Sequence, residues 1–272
     1  MPLCISTPKG LPPAGLVLLV AGATASKGFS SEANEGLDSA SGGSPAPGET
    51  HPPRKEVSTD TITPVQNGTY KNVYVNGDTT KKTVALSFDD APDENNTHKI
   101  LNILKKHDVK ASFFMIGSTM NEENTTAVKR CSDEGHLVLN HSFNHPRLTN
   151  LNETEIITQL DQTSTRIQTL TGSYPLLFRP PYGSINSQVV NTINTSGFTI
   201  ILWSLDSLDW ILKDPYAVAN NVISNVRNGD IILMHRNPTS VASLEMVIET
   251  LHATGYTFTT VDKMLGLTAY KQ

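Results

Sequence analysis

The strongest constraint on the fold of this chain is the alternation of strand-like apolar runs with helix-like stretches between residues 83 and 261. Such alternation is typical of parallel strands joined by crossover helices, in either a barrel or an open doubly wound sheet. The strand-like runs are 83–88, 111–116, 136–141, 176–179, 199–204, 230–235 and 257–261, and the helix-like stretches include Thr97–His107, Glu122–Glu134, Glu153–Thr171 and Pro215–Arg227. Because seven strands are one fewer than the usual eight of a full barrel, we expect an α/β fold, a distorted or incomplete (β/α) barrel with about seven parallel strands.

Two short motifs place metal-binding side chains near the ends of predicted strands. Ser87-Phe88-Asp89-Asp90 puts two carboxylates where the run 83–88 ends, and His141-Ser142-Phe143-Asn144-His145 puts two imidazoles at i and i+4. Adjacent carboxylates repel each other, and a divalent cation relieves the cost of burying them. If the histidine motif is helical, its imidazoles share one face. With one aspartate they would supply three ligands, which leaves a position for water as in catalytic zinc sites.

Each motif alone has a simpler explanation, because an HxxxH spacing arises by chance in helices and an Asp-Asp pair suits a solvated strand end. Three further segments, each closing a predicted strand, favour a shared site: Phe178-Arg179-Pro180-Pro181-Tyr182-Gly183, Asp206-Ser207-Leu208-Asp209-Trp210 and Ile231-Ile232-Leu233-Met234-His235. In (β/α) barrels, chemistry is assembled at the carboxyl ends of the strands. The side chains that fall there are Asp89, Asp90, His141, Arg179, Asp209 and His235.

The order and spacing of these five motifs resemble the polysaccharide deacetylase family, also called the NodB homology domain or carbohydrate esterase family four. The resemblance runs from about Lys82 to about Leu265. It implies an incomplete barrel and an enzyme, a metal-dependent polysaccharide N-deacetylase. Such an enzyme hydrolyses the linear amide of N-acetyl groups on an amino-sugar polymer such as peptidoglycan or chitin.

The resemblance also implies roles for the motif residues. Asp90, His141 and His145 would hold one divalent metal ion, for which zinc is the first expectation and cobalt or nickel would also fit. Asp89 would be the general base that takes a proton from the attacking water. His235 would be the general acid, which an amide nitrogen needs in order to leave.

Five supporting residues are expected around this centre. Arg179 would keep Asp89 ionised and oriented, and Asp209 would keep His235 charged. The backbone N–H of Tyr182, in a rigid turn after two prolines, would stabilise the oxyanion. Trp210 and Leu233 would form the apolar wall that receives the acetyl methyl group, with Tyr182 also at the substrate.

Simpler roles remain open for three of these residues, namely a structural salt bridge for Arg179, a core aromatic for Trp210 and a satisfied core imidazole for His235. The chain also departs from the family pattern at three positions, one of which is His98, where Pro is frequent. Ala91 stands where Gly is usual, and it would be strained by about 1 kcal/mol or more if its backbone needs a positive φ. Arg236 follows the last histidine where an acid is common.

Three alternative functions remain. An acetyl xylan esterase would use the same site, and a catalytically silent relative would bind glycan without releasing acetate. Two histidines with one carboxylate can also bind non-haem iron for oxygen chemistry. An oxygenase would have no use for the second aspartate, Arg179 or His235, so we favour the deacetylase.

The domain organisation follows from composition. Residues 1–25 are expected to be a signal peptide or an N-terminal anchor, because the apolar run Leu16–Ala25 ends in an A-x-A cleavage sequence. Residues 26–80 are expected to be a flexible Gly/Ser/Pro-rich linker that leads into the domain. Residues 81–272 would form the catalytic domain, and the protein would be secreted or associated with the cell surface or cell wall.

The charge and cysteine content exclude other classes. A net charge of −5 and the lack of clustered Lys/Arg argue against nucleic acid as a partner. The expected partner is the acetylated polysaccharide, with no protein partner and a monomeric state. Cys4 would leave with the signal peptide and Cys131 would remain alone, so no disulfide framework is expected.

Overall fold

The strands of the domain form one parallel sheet. The computed structural model describes residues 70–272, so the predicted segment 1–25 and the linker before residue 70 lie outside the described residues. The strands are β1 (Val73–Tyr74), β2 (Thr83–Ala91), β3 (Ser112–Met115), β4 (Leu137–Asn140), β5 (Leu177–Phe178), β6 (Thr199–Ile201), β7 (Leu205–Asp206), β8 (Ile231–His235) and β9 (Thr257–Phe258). Their order is β1-β6-β5-β4-β3-β2-β8-β7, with β9 beside β2, and every pairing between them is parallel.

The sheet curls because one short stretch of chain serves both of its ends. β6 pairs with β5 and β1, whereas β7 pairs with β8 at the other edge of the sheet. Ile201 and Leu205 are four residues apart, a distance of at most about 14 Å. The two ends of the sheet must therefore approach each other, which confirms the predicted incomplete (β/α) barrel.

Seven helices surround the sheet in the part of the chain that the structure describes. They are α1 (Asn96–Lys106), α2 (Thr125–Asp133), α3 (Glu153–Thr171), α4 (Ser187–Thr195), α5 (Pro215–Asn225), α6 (Pro238–Ala253) and α7 (Val261–Leu265). The buried faces of α1, α5 and α6 join the outward side chains of the central strands in the largest apolar cluster. Among the described residues, no helix combines the length and apolar character needed to cross a membrane.

The alternation of side chains along β2 decides what lies inside the barrel. Val84, Leu86 and Phe88 belong to the outer cluster with the helices, whereas Ala85 belongs to an inner cluster drawn mainly from strands. Successive side chains on a strand point to opposite faces. Ser87 and Asp89 therefore share the inner face with Ala85, and both are buried.

The predicted elements correspond closely to the observed ones. Helix α3 has the predicted bounds, six of the seven predicted strands contain an observed strand, and the seventh, 83–88, lies within the longer β2. The estimate of about seven strands omitted β1 and β7, because strands of two residues are too short to show a period. Strand β1 lies within the segment 26–80 that composition indicates as the linker leading into the domain.

A capping box fixes the start of α3. Asn152 Oδ1 accepts from the Glu155 backbone N–H at 3.0 Å, and the Glu155 carboxylate accepts from the Asn152 backbone N–H at 2.8 Å. These bonds satisfy donors that the first turn of a helix leaves unpaired. The sequence Asn152-Glu153-Thr154-Glu155 therefore specifies where the helix begins.

We expect Asn152→Ala to lower the free energy of unfolding by about 1 kcal/mol, because a backbone N–H in the first turn of α3 loses its acceptor. Urea denaturation of the full chain followed by circular dichroism measures this change. Asn191→Ala, at an exposed position within α4, is the matched control and should leave stability unchanged or slightly raised. Equal effects of the two substitutions would contradict the role of the cap.

Candidate metal centre and active site

The inner face of the barrel ends in polar side chains at the carboxyl ends of the strands. Asp89 lies opposite His235 in the parallel register of β2 and β8. His141 directly follows β4, and its backbone N–H donates to Met115 O at 2.9 Å. Asp89 and His141 project into one region, since the His141 Nε2 to Asp89 Oδ2 distance is 3.6 Å. His235 lies close enough for the charges of Asp89 and Asp90 to act on it.

Asp90 reaches this region through an irregularity in β2. The pairing of β2 with β3 shifts register between Phe88 and Ala91, and Asp90 has φ 65°. Its Oδ1 lies 3.6 Å from His141 Nε2 and 3.3 Å from His145 Nε2. Ala91 is buried without a positive φ, so the strain considered for Ala91 falls on Asp90 instead.

The two histidines converge through a loop, so the helical geometry considered for their motif is not the one that brings the rings together. Residues 141–147 contain no helix, and Ser142 and His145 have φ 67° and 59°. Two left-handed residues turn the loop back so that both rings face Asp90. The carbonyls of Ser142 and Phe143 accept from the Gly117 and Ser118 backbone N–H groups at 3.0 and 2.7 Å, which holds the loop in place.

Gly117 is required for this support. A Cβ on Gly117 would come within 2.6 Å of both the Phe143 ring and Thr163 Oγ1. Helix α3 adds a second anchor, because Gln159 Oε1 accepts from the Phe143 backbone N–H at 2.9 Å. Gly117 and Gln159 were not predicted from the sequence, since neither carries a chemical group that marks a site.

The protonation pattern of the three side chains suits a cation. His141 Nδ1 lies 2.7 Å from Arg179 O, an acceptor, so Nδ1 carries the proton and Nε2 presents a lone pair. Burial lowers the pKa of His145, and the adjacent His141 acts in the same direction, which keeps that ring neutral. Asp90 Oδ1 is buried and accepts no hydrogen bond from the described residues.

Asp90, His141 and His145 therefore fit a divalent cation. Their donor atoms all lie within 4.8 Å of one another. A carboxylate oxygen without a hydrogen-bond donor, facing two imidazole nitrogens, is costly in a metal-free site. Imidazole and carboxylate together are the ligand types of zinc, cobalt and nickel sites.

Arg179 is fully buried and crosses the barrel interior to Asp89. It donates to Asp89 Oδ1 at 2.7 Å and to Ser87 Oγ at 2.9 Å. Its other nitrogens donate to Ile201 O at 3.1 Å and Leu202 O at 2.9 Å. Burial lowers the pKa of Arg179, and the Asp89 carboxylate opposes that shift. These contacts leave Asp89 Oδ2 directed towards His141.

His235 is paired with the buried carboxylate of Asp209. Its Nδ1 lies 2.7 Å from Asp209 Oδ1, and its backbone N–H donates to Asp209 Oδ2 at 2.6 Å. Burial alone would lower the pKa of His235, but the hydrogen bond and negative charge of Asp209, with Asp89 and Asp90 nearby, raise it to about 9. Ser240 also donates to Asp209 Oδ2 from the first turn of α6.

The three predicted substrate residues line the same end of the barrel. Tyr182 has φ 61°, and its half-exposed ring meets the His145 ring edge-on with centroids 4.7 Å apart. Leu233 is buried on the inner face of β8, two residues before His235. Trp210 is 54% exposed, and its Nε1 donates to Asp206 Oδ2 at 3.3 Å. The apolar wall of Trp210 and Leu233 stays a prediction.

Left-handed backbone is concentrated around this site. Seven described residues other than glycine have positive φ, and five of them lie at or beyond the carboxyl ends of strands, namely Asp90, Ser142, His145, Tyr182 and Leu208. Each costs about 1–3 kcal/mol and persists only where surrounding contacts hold it. Gly183 extends the Tyr182 turn at φ 61°, and a Cβ there would come within 2.9 Å of the Trp203 ring.

Comparison with known proteins identifies relatives over about two thirds of this chain. The family model for polysaccharide deacetylase matches residues 76–201. The peptidoglycan-N-acetylglucosamine deacetylase PgdA of Listeria monocytogenes is 40% identical over 188 residues, 69% of this chain and 40% of that protein. A peptidoglycan-N-acetylglucosamine deacetylase of Bacillus cereus is 39% identical over 189 residues, 68% of each chain. The match thus spans less than half of the Listeria protein.

Two solved structures share the fold. The Bc1960 peptidoglycan N-acetylglucosamine deacetylase is 35% identical, with a TM-score of 0.71 over 74% of this chain and 95% of that one. BA3943 of Bacillus anthracis, described as a pseudoenzyme of carbohydrate esterase family four, is 32% identical, with a TM-score of 0.67 over 71% and 68% of the two chains. From the family model, the identities and the shared fold, this chain belongs to the polysaccharide deacetylase family.

Proposed function

We propose that this chain is a metal-dependent enzyme that hydrolyses N-acetyl groups on an amino-sugar polymer. One observation carries the proposal: the buried, donor-free Asp90 Oδ1 faces two imidazole nitrogens beside the Asp89–Arg179 pair. The His235–Asp209 pair completes the set at the same strand ends. Together these groups supply a cation site, a base and an acid.

Asp89 is suited to accept the proton of the attacking water. When bound, a divalent cation supplies Lewis acidity, which makes water more acidic and polarises the acetyl carbonyl. Arg179 occupies Asp89 Oδ1 and holds the carboxylate in one orientation, so that Oδ2 is the oxygen available for the proton. The backbone N–H of Tyr182 is proposed to donate to the oxyanion.

His235 is suited to protonate the departing amine. Its pKa is raised to about 9 by Asp209 and the neighbouring carboxylates against the effect of burial, so the ring is charged at neutral pH in the metal-free protein. Nδ1 is engaged by Asp209, which leaves Nε2 to donate. A protonated imidazole with Nε2–H free is the form that a general acid requires.

Peptidoglycan is the favoured substrate, because two relatives of about 40% identity carry names of peptidoglycan-N-acetylglucosamine deacetylases. This substrate places the protein at the cell wall, as a secreted or surface-associated enzyme. Trp210, Leu233 and Tyr182 are proposed to receive the acetyl group. Zinc is the proposed metal, with cobalt or nickel as alternatives.

Acetyl xylan ester cleavage is the second candidate for the same site, and a silent glycan-binding role is the third. A pseudoenzyme among the structural relatives means that family membership alone does not establish activity. In this chain, Asp89, Asp90, His141, His145 and His235 are all present, which favours catalysis. Release of acetate from acetylated chito-oligosaccharides, with and without chelator, separates an enzyme from a binding protein.

We expect removal of the metal, or of one ligand, to abolish acetate release. Asp90→Ala should reduce kcat/KM by more than the roughly 10–100-fold that loss of an outer-shell contact causes, and metal analysis should show less bound zinc. Asp161→Ala, at an exposed position on α3, is the control and should retain the wild-type kcat/KM and zinc content. Full activity after exhaustive chelation would contradict metal dependence.

His235→Ala should affect amides more than esters. We expect amide hydrolysis to fall about 100- to 10,000-fold, because a general acid contributes about that much to catalysis and an amine leaves poorly without a proton. The alcohol of an acetyl ester leaves with less need for a proton than an amine does, so cleavage of acetylated xylo-oligosaccharides should fall less. Full retention of amide hydrolysis would remove the acid role from His235.

Asp209→Asn should move the alkaline limb of the pH profile to lower pH. His235 acts as an acid only when protonated, so the rate falls as the pH rises through its pKa. The substitution removes the negative charge and hydrogen-bond strength that raise this pKa. Profiles of kcat/KM for the variant, the wild type and the exposed control Asp133→Asn measure the shift, and an unmoved limb would contradict the coupling.

A further inference from the structure

We propose that Arg236 is a positioning residue that holds the Asp90 carboxylate ready for the metal, so that metal affinity depends on it. The proposal rests on the metal-dependent function proposed above. It concerns a residue outside the cation site, because Arg236 donates to the backbone of Asp90 and leaves the carboxylate free.

Asp90 needs an external support because the strand does not hold it. The ladder between β2 and β8 ends with Asp89 opposite His235, and the ladder with β3 is interrupted between Phe88 and Ala91. A left-handed φ of 65° turns the Asp90 carbonyl out of the regular pattern. A buried or half-buried carbonyl that leaves its ladder must find another donor.

Arg236 supplies that donor because of its place in the register. As the residue after His235, it lies next to Asp90 when β2 and β8 run parallel. Its Nε donates to Asp90 O at 2.5 Å, and its backbone N–H donates to Asp89 O at 3.3 Å. The side chain therefore holds the backbone of the proposed ligand from the opposite strand.

The guanidinium is itself fixed by Asp93, three residues before the start of α1. Arg236 Nη1 lies 3.4 Å from Asp93 Oδ2, and the Arg236 and Asp93 side chains are only 33% and 22% exposed. Asp93 Oδ1 accepts from the Thr97 backbone N–H at 2.8 Å, which anchors the carboxylate to the helix. Asn96 Nδ2 also donates to Asp93 Oδ2 at 3.1 Å.

This network clamps the turn that contains Asp90 between β8 and α1. A planar guanidinium can direct different nitrogens to a carbonyl and a carboxylate at once, whereas an ammonium group is a single point of charge. Removal of Arg236 would leave the left-handed turn free to relax. The Asp90 carboxylate would then spend less time opposite the two histidines, and metal affinity would fall.

The test measures the zinc affinity of the metal-stripped full chain by isothermal titration calorimetry. Arg236→Met should raise the Kd about 10- to 100-fold, as expected for loss of an outer-shell support. With saturating zinc, kcat should return close to the wild-type value. Arg236→Lys keeps the positive charge but lacks the planar guanidinium, so its Kd should lie between those of the wild type and Arg236→Met.

Arg130→Met is the matched control. Arg130 is also partly buried, at 25% exposure, and bridges two helices through Glu134 and Asn102 rather than the site. We expect this variant to lose thermal stability in the metal-free state while its zinc Kd stays at the wild-type value. A Kd raised equally in both arginine variants would indicate general destabilisation and overturn the proposal.

Asp93→Asn provides a second variant that does not alter the contact to Asp90. It should raise the Kd less than Arg236→Met, and the double variant should show less than the sum of the two effects, since both act through one network. An unchanged Kd in Arg236→Met and Arg236→Lys overturns the proposal even if the wild type binds zinc and releases acetate. A wild type that binds no zinc overturns the proposed function as well.

Discussion

The buried contact between Arg179 and Asp89 is the interaction on which the rest of the site depends. The guanidinium has no exposed surface, and it is satisfied by Asp89, Ser87 and two carbonyls near the end of β6. A buried charge is tolerable only when paired and hydrogen-bonded in this way. The main chain of Arg179 also accepts from His141 Nδ1, so one residue orients both the proposed base and a proposed ligand.

This contact also requires the curl of the sheet. β5 and β2 are separated in the sheet by β3 and β4, and Arg179, which follows β5, reaches β2 across the barrel interior. The guanidinium carbon of Arg179 lies 4.0 Å from the centroid of the Phe114 ring. This cation–π contact stabilises the charge where it packs on the apolar inner cluster. The apolar floor excludes water from one side of the polar residues and strengthens their electrostatic interactions.

Much of the fold and of the site was predictable because alternation along strands is a local property. The runs that end at His141, at His235 and directly before Asp89 showed both where the chain becomes buried and where polar side chains emerge. The histidine motif forms a loop and not the helix considered for it, because spacing at i and i+4 does not distinguish a helix from a loop closed by left-handed residues. Gly117, Gln159 and Ser240 were missed, since their contacts come from segments distant in sequence.

The sequence by itself determined which chemical groups are available and at which end of the barrel they emerge, because period-two burial and strand polarity are written into consecutive residues. Only the tertiary structure decided how those groups are oriented: which oxygen of Asp89 is free, which nitrogen of His141 carries the proton, and what supports Asp90. The reason is that orientation is set by partners from other strands and helices, such as Arg179 and Arg236, and these meet only when the sheet closes upon itself.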